Sequence, residues 1–227
     1  MTARFFQLFI GVSATAVSCH PQPCQPRYDK VVLVHGIFED GVSFVPLVTR
    51  LENHGIKCHV PQLKPNDARD GIDQLAESLK EGIDKEFGPN ERFAMVGFSM
   101  GGLVSRYYLQ NLGGAERCDS FITVSSPHHG SNLAYAYPGK GARQMRPGSA
   151  FLKDLEVTED RLGDIPIVSY RTPMDLIILP TESSVWERAE NHSHPVILHP
   201  LMLYSKPVLD DIEKRLVIKN APVRNRT

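Results

Sequence analysis

The sequence predicts an α/β domain on a mostly parallel sheet with helices on both faces, and three observations carry that expectation. Short, continuously apolar runs such as residues 30–35 (KVVLVH) and 92–98 (RFAMVGF) read as strands covered on both faces. Amphipathic stretches at helical spacing separate them, and strand–helix alternation of this kind builds a layered α/β sheet. With 227 residues, 41% of them hydrophobic, the chain buries a sizeable core without disulfide staples.

Taken in order, residues 30–35 form a first strand ending at Gly36, and residues 41–54 a helix. Residues 57–60 form a second strand ended by Pro61. Residues 67–87 place Ile72, Leu75, Ala76, Leu79, Ile83 and Phe87 on one helical face, with Asp67 as N-cap and Gly88-Pro89 as the stop. Residues 92–98 are a third strand, followed at once by a helix carrying Leu103, Val104, Tyr107, Tyr108 and Leu112 on one face. Residues 121–125 and 165–171 are further strands, separated by a segment of mixed polarity over 131–163. A last strand is expected at 195–198 (PVIL), before a C-terminal helix from about 207 to 217. Repeats, low-complexity tracts and interdomain linkers are absent from the pattern, so one domain spans 30–219, followed by a tail over 220–227.

Charge excludes one class of function. The 25 Lys+Arg stand against 26 Asp+Glu, a net charge of -1, whereas neutralising nucleic-acid phosphates needs a basic excess. Disorder needs low hydrophobicity with high net charge, and neither is present. Four cysteines are too few for a disulfide scaffold, and none sits in a paired CxxC zinc pattern.

The N-terminus reads as a separate object. Arg4 precedes the uncharged run FFQLFIGVSATAVS, after which a Pro-rich linker follows over 19–29. That order is a secretory leader over residues 1–18, shorter than the roughly 20 apolar residues of a membrane-spanning helix. Ala14-Thr15-Ala16 has the small-x-small form of a signal-peptidase site, while Ala16-Val17-Ser18-Cys19 resembles a bacterial lipobox that would lipidate Cys19 and tether the chain to a membrane. Either way the product is expected to be exported: periplasmic, secreted or a membrane-anchored lipoprotein. Without lipid, Cys19 and Cys24 can pair in a short loop; with it, Cys24 has no obvious partner.

The strongest chemical signal is Gly97-Phe98-Ser99-Met100-Gly101-Gly102, a G-x-S-x-G sequence where a predicted strand ends and a helix begins. A sharp strand-to-helix turn lifts the serine hydroxyl above the sheet, and the small flanking residues avoid collisions across it. The helix N-terminus also aims its amides at the position where an oxyanion forms. A serine hydroxyl is a weak nucleophile at neutral pH, so a base and an orienting acid must lie elsewhere. In this arrangement they follow in the order Ser, Asp or Glu, His, beyond the carboxyl ends of their strands. Asp175 and His199 pass both filters, with Glu182 the substitute acid. His35, His128 and His129 come too early in the chain, and His192 and His194 sit at the start of the expected last strand. Oxyanion donors are the N–H of Met100, after the nucleophile, and of Ile37, in the loop after the first strand.

These residues, with VLVHGIFEDG (32–41), GFSMGG (97–102), SSPHHGS (125–131), QMRPGSAFL (144–152), DLIILP (175–180) and HPLMLYSKPVL (199–209), make the chain resemble the lipase and esterase branch of the α/β-hydrolase superfamily, especially small bacterial triacylglycerol lipases. The resemblance implies an α/β-hydrolase fold with a short lid over 131–163, Ser99, Asp175 and His199 as triad, and no cofactor. It implies a sheet order that puts the strands after Cys58 and Cys118 three steps apart, about 14 Å at ~4.8 Å per step, too far for a disulfide. Phe38, Phe44, Met145, Phe151, Leu152, Leu176 and Ile177 are candidates for an acyl pocket, although ordinary core packing is the commoner role of apolar residues. The lid region has no metal-ligand spacing, so no catalytic metal is expected. The activity expected is hydrolysis of small-molecule or lipid carboxylic esters through an acyl-enzyme. The alternatives are an envelope phospholipase or acyltransferase with the same residues, or a non-catalytic binding module on a hydrolase scaffold. Oligomeric state is not legible.

Overall fold

The computed structural model describes residues 26–217. The expected leader, both processing sites, Cys19, Cys24 and the 220–227 tail lie outside them. Within this range the strands are β1 (Lys30–Val34), β2 (Lys57–His59), β3 (Phe93–Phe98), β4 (Cys118–Val124), β5 (Ile167–Arg171) and β6 (Glu190–Ser193). They form one sheet in the order β2-β1-β3-β4-β5-β6, and every pairing is parallel. Parallel neighbours need crossover connections, which bring helices onto the faces. The helices are α1 (Val45–Glu52), α2 (Ile72–Phe87), α3 (Met100–Asn111), α4 (Lys140–Gln144), α5 (Ala150–Val157) and α6 (Lys206–Val217).

Alternation along β1 shows how the two layers form, since successive side chains of a strand point to opposite faces. Val31 and Leu33 pack with Leu47 and Leu51 of α1 and Ile212 and Leu216 of α6. Val32 and Val34 pack on the other face with Leu75 and Leu79 of α2 and Leu103 and Val104 of α3. Each side chain so buried contributes roughly 1.5–3 kcal/mol. All six residues of β3 are buried, as its central place between two helical layers requires.

Two sequence expectations are corrected. Asp67 does not cap α2. Its Oδ1 accepts from the Arg69 N–H at 3.1 Å in a separate turn, left-handed backbone at Ala68 (φ 54°) breaks the helix, and α2 starts after Gly71. Gln144 supplies a cap from a distance, its Oε1 accepting from the Ile72 N–H at 2.6 Å. The last strand is not 195–198 but Glu190–Ser193. This edge strand holds to β5 through its backbone, so a polar sequence (ENHS) suffices, whereas Ile197 and Leu198 are exposed.

The segment over 131–163 packs into the helical layer rather than standing off as a detached flap. Phe151, Leu152 and Leu155 of α5 are buried in the layer with α2 and α3. Cys58 on β2 and Cys118 on β4 lie three strands apart and are free thiols, and burial pushes each up to about 12.

Candidate active site

The turn between β3 and α3 is a single residue, Ser99, with φ 53° and ψ −126°. For a residue with a Cβ this backbone costs of order 1–3 kcal/mol and persists only where its surroundings over-determine it. Here the Ser99 N–H donates to the Val124 carbonyl at 2.9 Å, and the Gly102 N–H donates to the Ser99 carbonyl at 3.1 Å. Small neighbours are obligatory. A Cβ at Gly97 would meet the Gly102 Cα at 2.7 Å, and one at Gly101 would run into the carbonyl oxygens of Val34 and His35. The first turn of α3 therefore rests directly on the end of β1.

Asp175 lies four residues beyond β5, and its carboxylate is held on both oxygens. Oδ1 accepts from the Ile177 and Ile178 N–H groups, each at 2.9 Å, and Oδ2 faces His199 Nδ1 at 2.8 Å. A carboxylate only accepts, so the proton of a neutral His199 resides on Nδ1 and Nε2 is left with its lone pair. That Nε2 is buried and has no hydrogen-bond partner. The His199 ring packs on Phe98, the residue before Ser99, with centroids 4.9 Å apart. Burial opposes ionisation of Asp175, but the His199 contact and the two amides outweigh it and hold the carboxyl below its ordinary range. His199 opens a 3-10 turn over His199–Tyr204 rather than following a strand directly, yet it still lies beyond the carboxyl end of β6.

The loop after β1 is pressed against the nucleophile position, for a Cβ added at Gly36 would sit 3.1 Å from the Cβ of Ser99. Gly36 N–H donates to Glu39 Oε2 at 3.1 Å and Phe38 N–H to the Asn66 carbonyl at 2.8 Å, fixing both sides of Ile37. Met100 opens α3, where an N–H has no intrahelical acceptor. His35 pins the same loop: Nδ1 bonds the Gly36 carbonyl at 2.9 Å and Nε2 accepts from the Leu63 N–H at 3.1 Å.

Other candidates fall elsewhere. The exposed Glu182 faces Arg171 at 4.0 Å, whereas His199 faces Asp175. His194 follows β6 rather than starting a strand, and its ring lies on Tyr170. Of the pocket candidates, Phe38, Leu176 and Ile177 are exposed around the mouth, while Met145, Phe151 and Leu152 are buried in the α2–α3 layer. Phe44, after the left-handed turn at Gly41, is fully buried in the layer of α1 and α6, which also holds Phe98 beneath the His199 ring. Among the described residues no group of three or more His, Cys, Asp or Glu is placed to hold a metal ion, and no helix is long and apolar enough to cross a membrane.

Sequence reasoning missed Arg106. It is 3% exposed on α3, its Nη2 donates to the Leu155 carbonyl at 3.1 Å and lies 3.4 Å from Glu159 Oε2, and its guanidinium stacks 4.2 Å from the Trp186 ring. Burial lowers it to about 10. It ties the elbow helix to α5, beside a cavity of about 560 Å³ that His128 and Trp186 also line. The available signal was its spacing: seven residues after Ser99 returns to the same side of a helix. Ser125 and Ser126 are also notable, since both hydroxyls are buried without a partner beside the elbow, and a Cβ at Gly102 would strike Ser126 Oγ.

Comparison with known proteins places this geometry in context. Among solved structures, the mature lipase BlEst2 of Bacillus licheniformis superposes with a TM-score of 0.69 at 18% identity, covering 88% of this chain and 95% of that one. Lipase B of Aspergillus fumigatus gives 0.64 at 15%, covering 84% and 57%. At such identities the likeness is one of fold, and it is the α/β-hydrolase fold. Lysosomal thioesterase PPT2 of Bos taurus is 31% identical over 115 residues, 48% of this chain and 37% of that protein, and PPT2 of Rattus norvegicus is 30% identical over the same length. The match thus spans little more than a third of these curated relatives. The model of the palmitoyl protein thioesterase family matches residues 30–160, the stretch from β1 through the elbow to beyond α5. On this match over more than half its length, the chain belongs to the palmitoyl protein thioesterase family of the α/β-hydrolase superfamily.

Proposed function

We propose that this chain hydrolyses acyl thioesters and carboxylic esters of lipid acids through a Ser99 acyl-enzyme. The supporting observation is the buried pair of Asp175 and His199, 2.8 Å apart, which leaves His199 Nε2 as an unpartnered acceptor while its ring packs on Phe98, the residue before Ser99. In the reaction His199 Nε2 takes the Ser99 proton as Ser99 Oγ bonds to the acyl carbon. The Ile37 and Met100 amides stabilise the oxyanion, and the carbon–sulfur or carbon–oxygen bond breaks as His199 returns the proton to the leaving thiol or alcohol. Water, deprotonated by His199, then releases the acid and restores Ser99. Asp175 holds the His199 ring and its tautomer throughout. The thioester is a refinement that the motifs did not supply; it comes from the family and from relatives named as thioesterases. Relatives named as lysosomal also favour an exported product over a cytosolic one.

Labelling with a fluorophosphonate probe tests serine activation without knowledge of the substrate. The wild-type chain should label and Ser99→Ala should not; equal labelling of both overturns the assignment. Turnover of palmitoyl-CoA against p-nitrophenyl palmitate then ranks thioester and oxygen ester. Product analysis with a phospholipid and an added alcohol separates hydrolysis from phospholipase or acyl-transfer activity.

A further inference from the structure

Large apolar side chains left in solvent are ordinary when scattered singly, but here they gather at one end of the molecule. Among the described residues thirteen are exposed, and twelve of these sit on segments that leave the carboxyl ends of the strands, the end that carries Ser99. Phe38 follows β1, Tyr135 and Tyr137 follow β4, Leu176 follows β5 and Leu201 follows β6; Val157, at the end of α5, is the exception. The segments are contiguous. The rings of Phe38 and Tyr137 lie 5.5 Å apart. Ser131 Oγ donates to the Ile177 carbonyl at 2.7 Å and the Asn132 N–H donates to the Leu179 carbonyl at 2.7 Å, joining the β4 and β5 segments.

Charge is uneven along this rim. Between Asp119 and Asp154 the chain has no carboxylate, while Lys140, Arg143, Arg146 and Lys153 lie within that stretch. Over residues 172–181 Asp175 is the single acid and it is buried, and over 194–209 Lys206 is the single Lys, Arg, Asp or Glu. Carboxylates return at the borders of this stretch: Glu182 is exposed after β5, and the segment of Asp67 and Asp70 after β2 meets the β4 segment directly, the Lys140 N–H donating to the Arg69 carbonyl at 3.0 Å and Lys140 Nζ lying 2.6 Å from Asp73 Oδ2. On the β4 segment a chain balanced overall therefore carries a local surplus of cations, Arg143, Arg146 and Lys153, beside exposed apolar side chains. Arg146 strengthens the pattern, its guanidinium lying 4.9 Å from the Tyr135 ring, so that cation and aromatic share one patch.

We propose that this apolar rim, with the cations of its β4 segment, docks on an anionic lipid surface, Tyr135 and Leu201 entering the interface and Arg143 and Arg146 meeting lipid phosphates. An apolar side chain entering a membrane interface gains by leaving water, and a cation near an anionic leaflet gains by attraction that salt screens. Docking in this orientation turns the mouth above Ser99 toward the bilayer, where acyl chains are held. That use rests on the acyl-ester reading; the docking itself does not.

The test is vesicle flotation of a Cys19→Ser/Ser99→Ala chain, in which neither a lipid anchor nor turnover contributes. Phosphatidylglycerol vesicles should carry the protein, phosphatidylcholine vesicles far less, and added salt should weaken binding. Tyr135→Ser/Leu201→Ser should lower partitioning about tenfold or more, Arg143→Glu about tenfold, and Val157→Ser not at all. No binding, equal binding to both vesicles, or an unaffected Tyr135→Ser/Leu201→Ser chain overturns the proposal. A dimer in sedimentation equilibrium that the same double variant dissociates assigns the face to a second copy and also overturns it. Loss of p-nitrophenyl acetate turnover is read separately in the chain retaining Ser99: inactive protein that still floats overturns the enzymatic reading and leaves the docking intact.

Discussion

Replacing Asp175 by Asn probes the site at one atom. Asp175 Oδ1 receives two backbone donors, the Ile177 and Ile178 amides at 2.9 Å, so an asparagine must place its carbonyl oxygen there and its NH2 where Oδ2 now faces His199. The NH2 is a donor, and it meets a ring nitrogen that is itself a donor in the working tautomer. His199 escapes the clash by moving its proton to Nε2, and it then cannot take the proton of Ser99. The same change of tautomer in the serine-protease triad costs about 10⁴ in turnover, or about 5.4 kcal/mol of barrier. Buried as it is, with Asp175 2% and His199 6% exposed, the pair has little water available to relax the mismatch. The assay is turnover of p-nitrophenyl and acyl-CoA substrates under saturating conditions, with near-ultraviolet circular dichroism to show that the fold is retained. A folded Asp175→Asn protein within tenfold of wild type refutes the reasoning, and a large loss in Glu182→Gln instead moves the acid to Glu182.

Three other outcomes follow from the same geometry. Ser99→Gly relieves the left-handed backbone at φ 53° and should raise stability by about 1 kcal/mol or more in thermal or urea unfolding while abolishing turnover. Gly101→Ala forces a Cβ into the backbone carbonyls of β1 and its loop, and should cost about 3 kcal/mol or more in unfolding free energy, with loss of fluorophosphonate labelling. Acid should weaken the protein on two counts. Asp175 has a folded-state pKa below its unfolded one, so its contribution is complete above the unfolded value and is lost as pH falls through the folded one. Burial, then Arg106 and His129, hold His128 well below the ordinary histidine range; the unfolded chain binds that proton first, so stability falls as pH drops below about 6.5. Unfolding midpoints in urea measured between about pH 4 and 8 should decline toward acid, and the decline in the upper part should vanish in His128→Gln.

The elements that the sequence displayed are those buried on both faces. β1 and β3 were legible because every side chain of such a strand must be apolar, and α2 because its six core-facing residues repeat at helical spacing. β6 was misplaced for the converse reason: an edge strand is held by backbone bonds to one neighbour, and those leave no pattern in side chains. His199 survived that error since the filter required only that it lie beyond the carboxyl end of the sheet, which remains true with β6 at Glu190–Ser193. The place of Phe44 was not legible because a left-handed turn at Gly41 decides which layer receives it, and the apolar side chain suits either. Arg106 escaped notice since burial of a guanidinium depends on Glu159, the Leu155 carbonyl and Trp186, partners 49 to 80 residues away in the chain.

By itself the sequence determined the layered parallel sheet, the serine at a strand-to-helix turn, and an acid and a histidine in the right order at the right end. These are local properties: apolar periodicity, glycines where a Cβ has no room, and chain order. Tertiary structure decided which acid meets the histidine, because a 2.8 Å contact across 24 residues depends on how two loops return over the sheet. It also decided that exposed aromatic residues of separate segments, Phe38 after β1 and Tyr137 after β4, meet, because only the fold returns such distant stretches of chain to the same edge of the sheet.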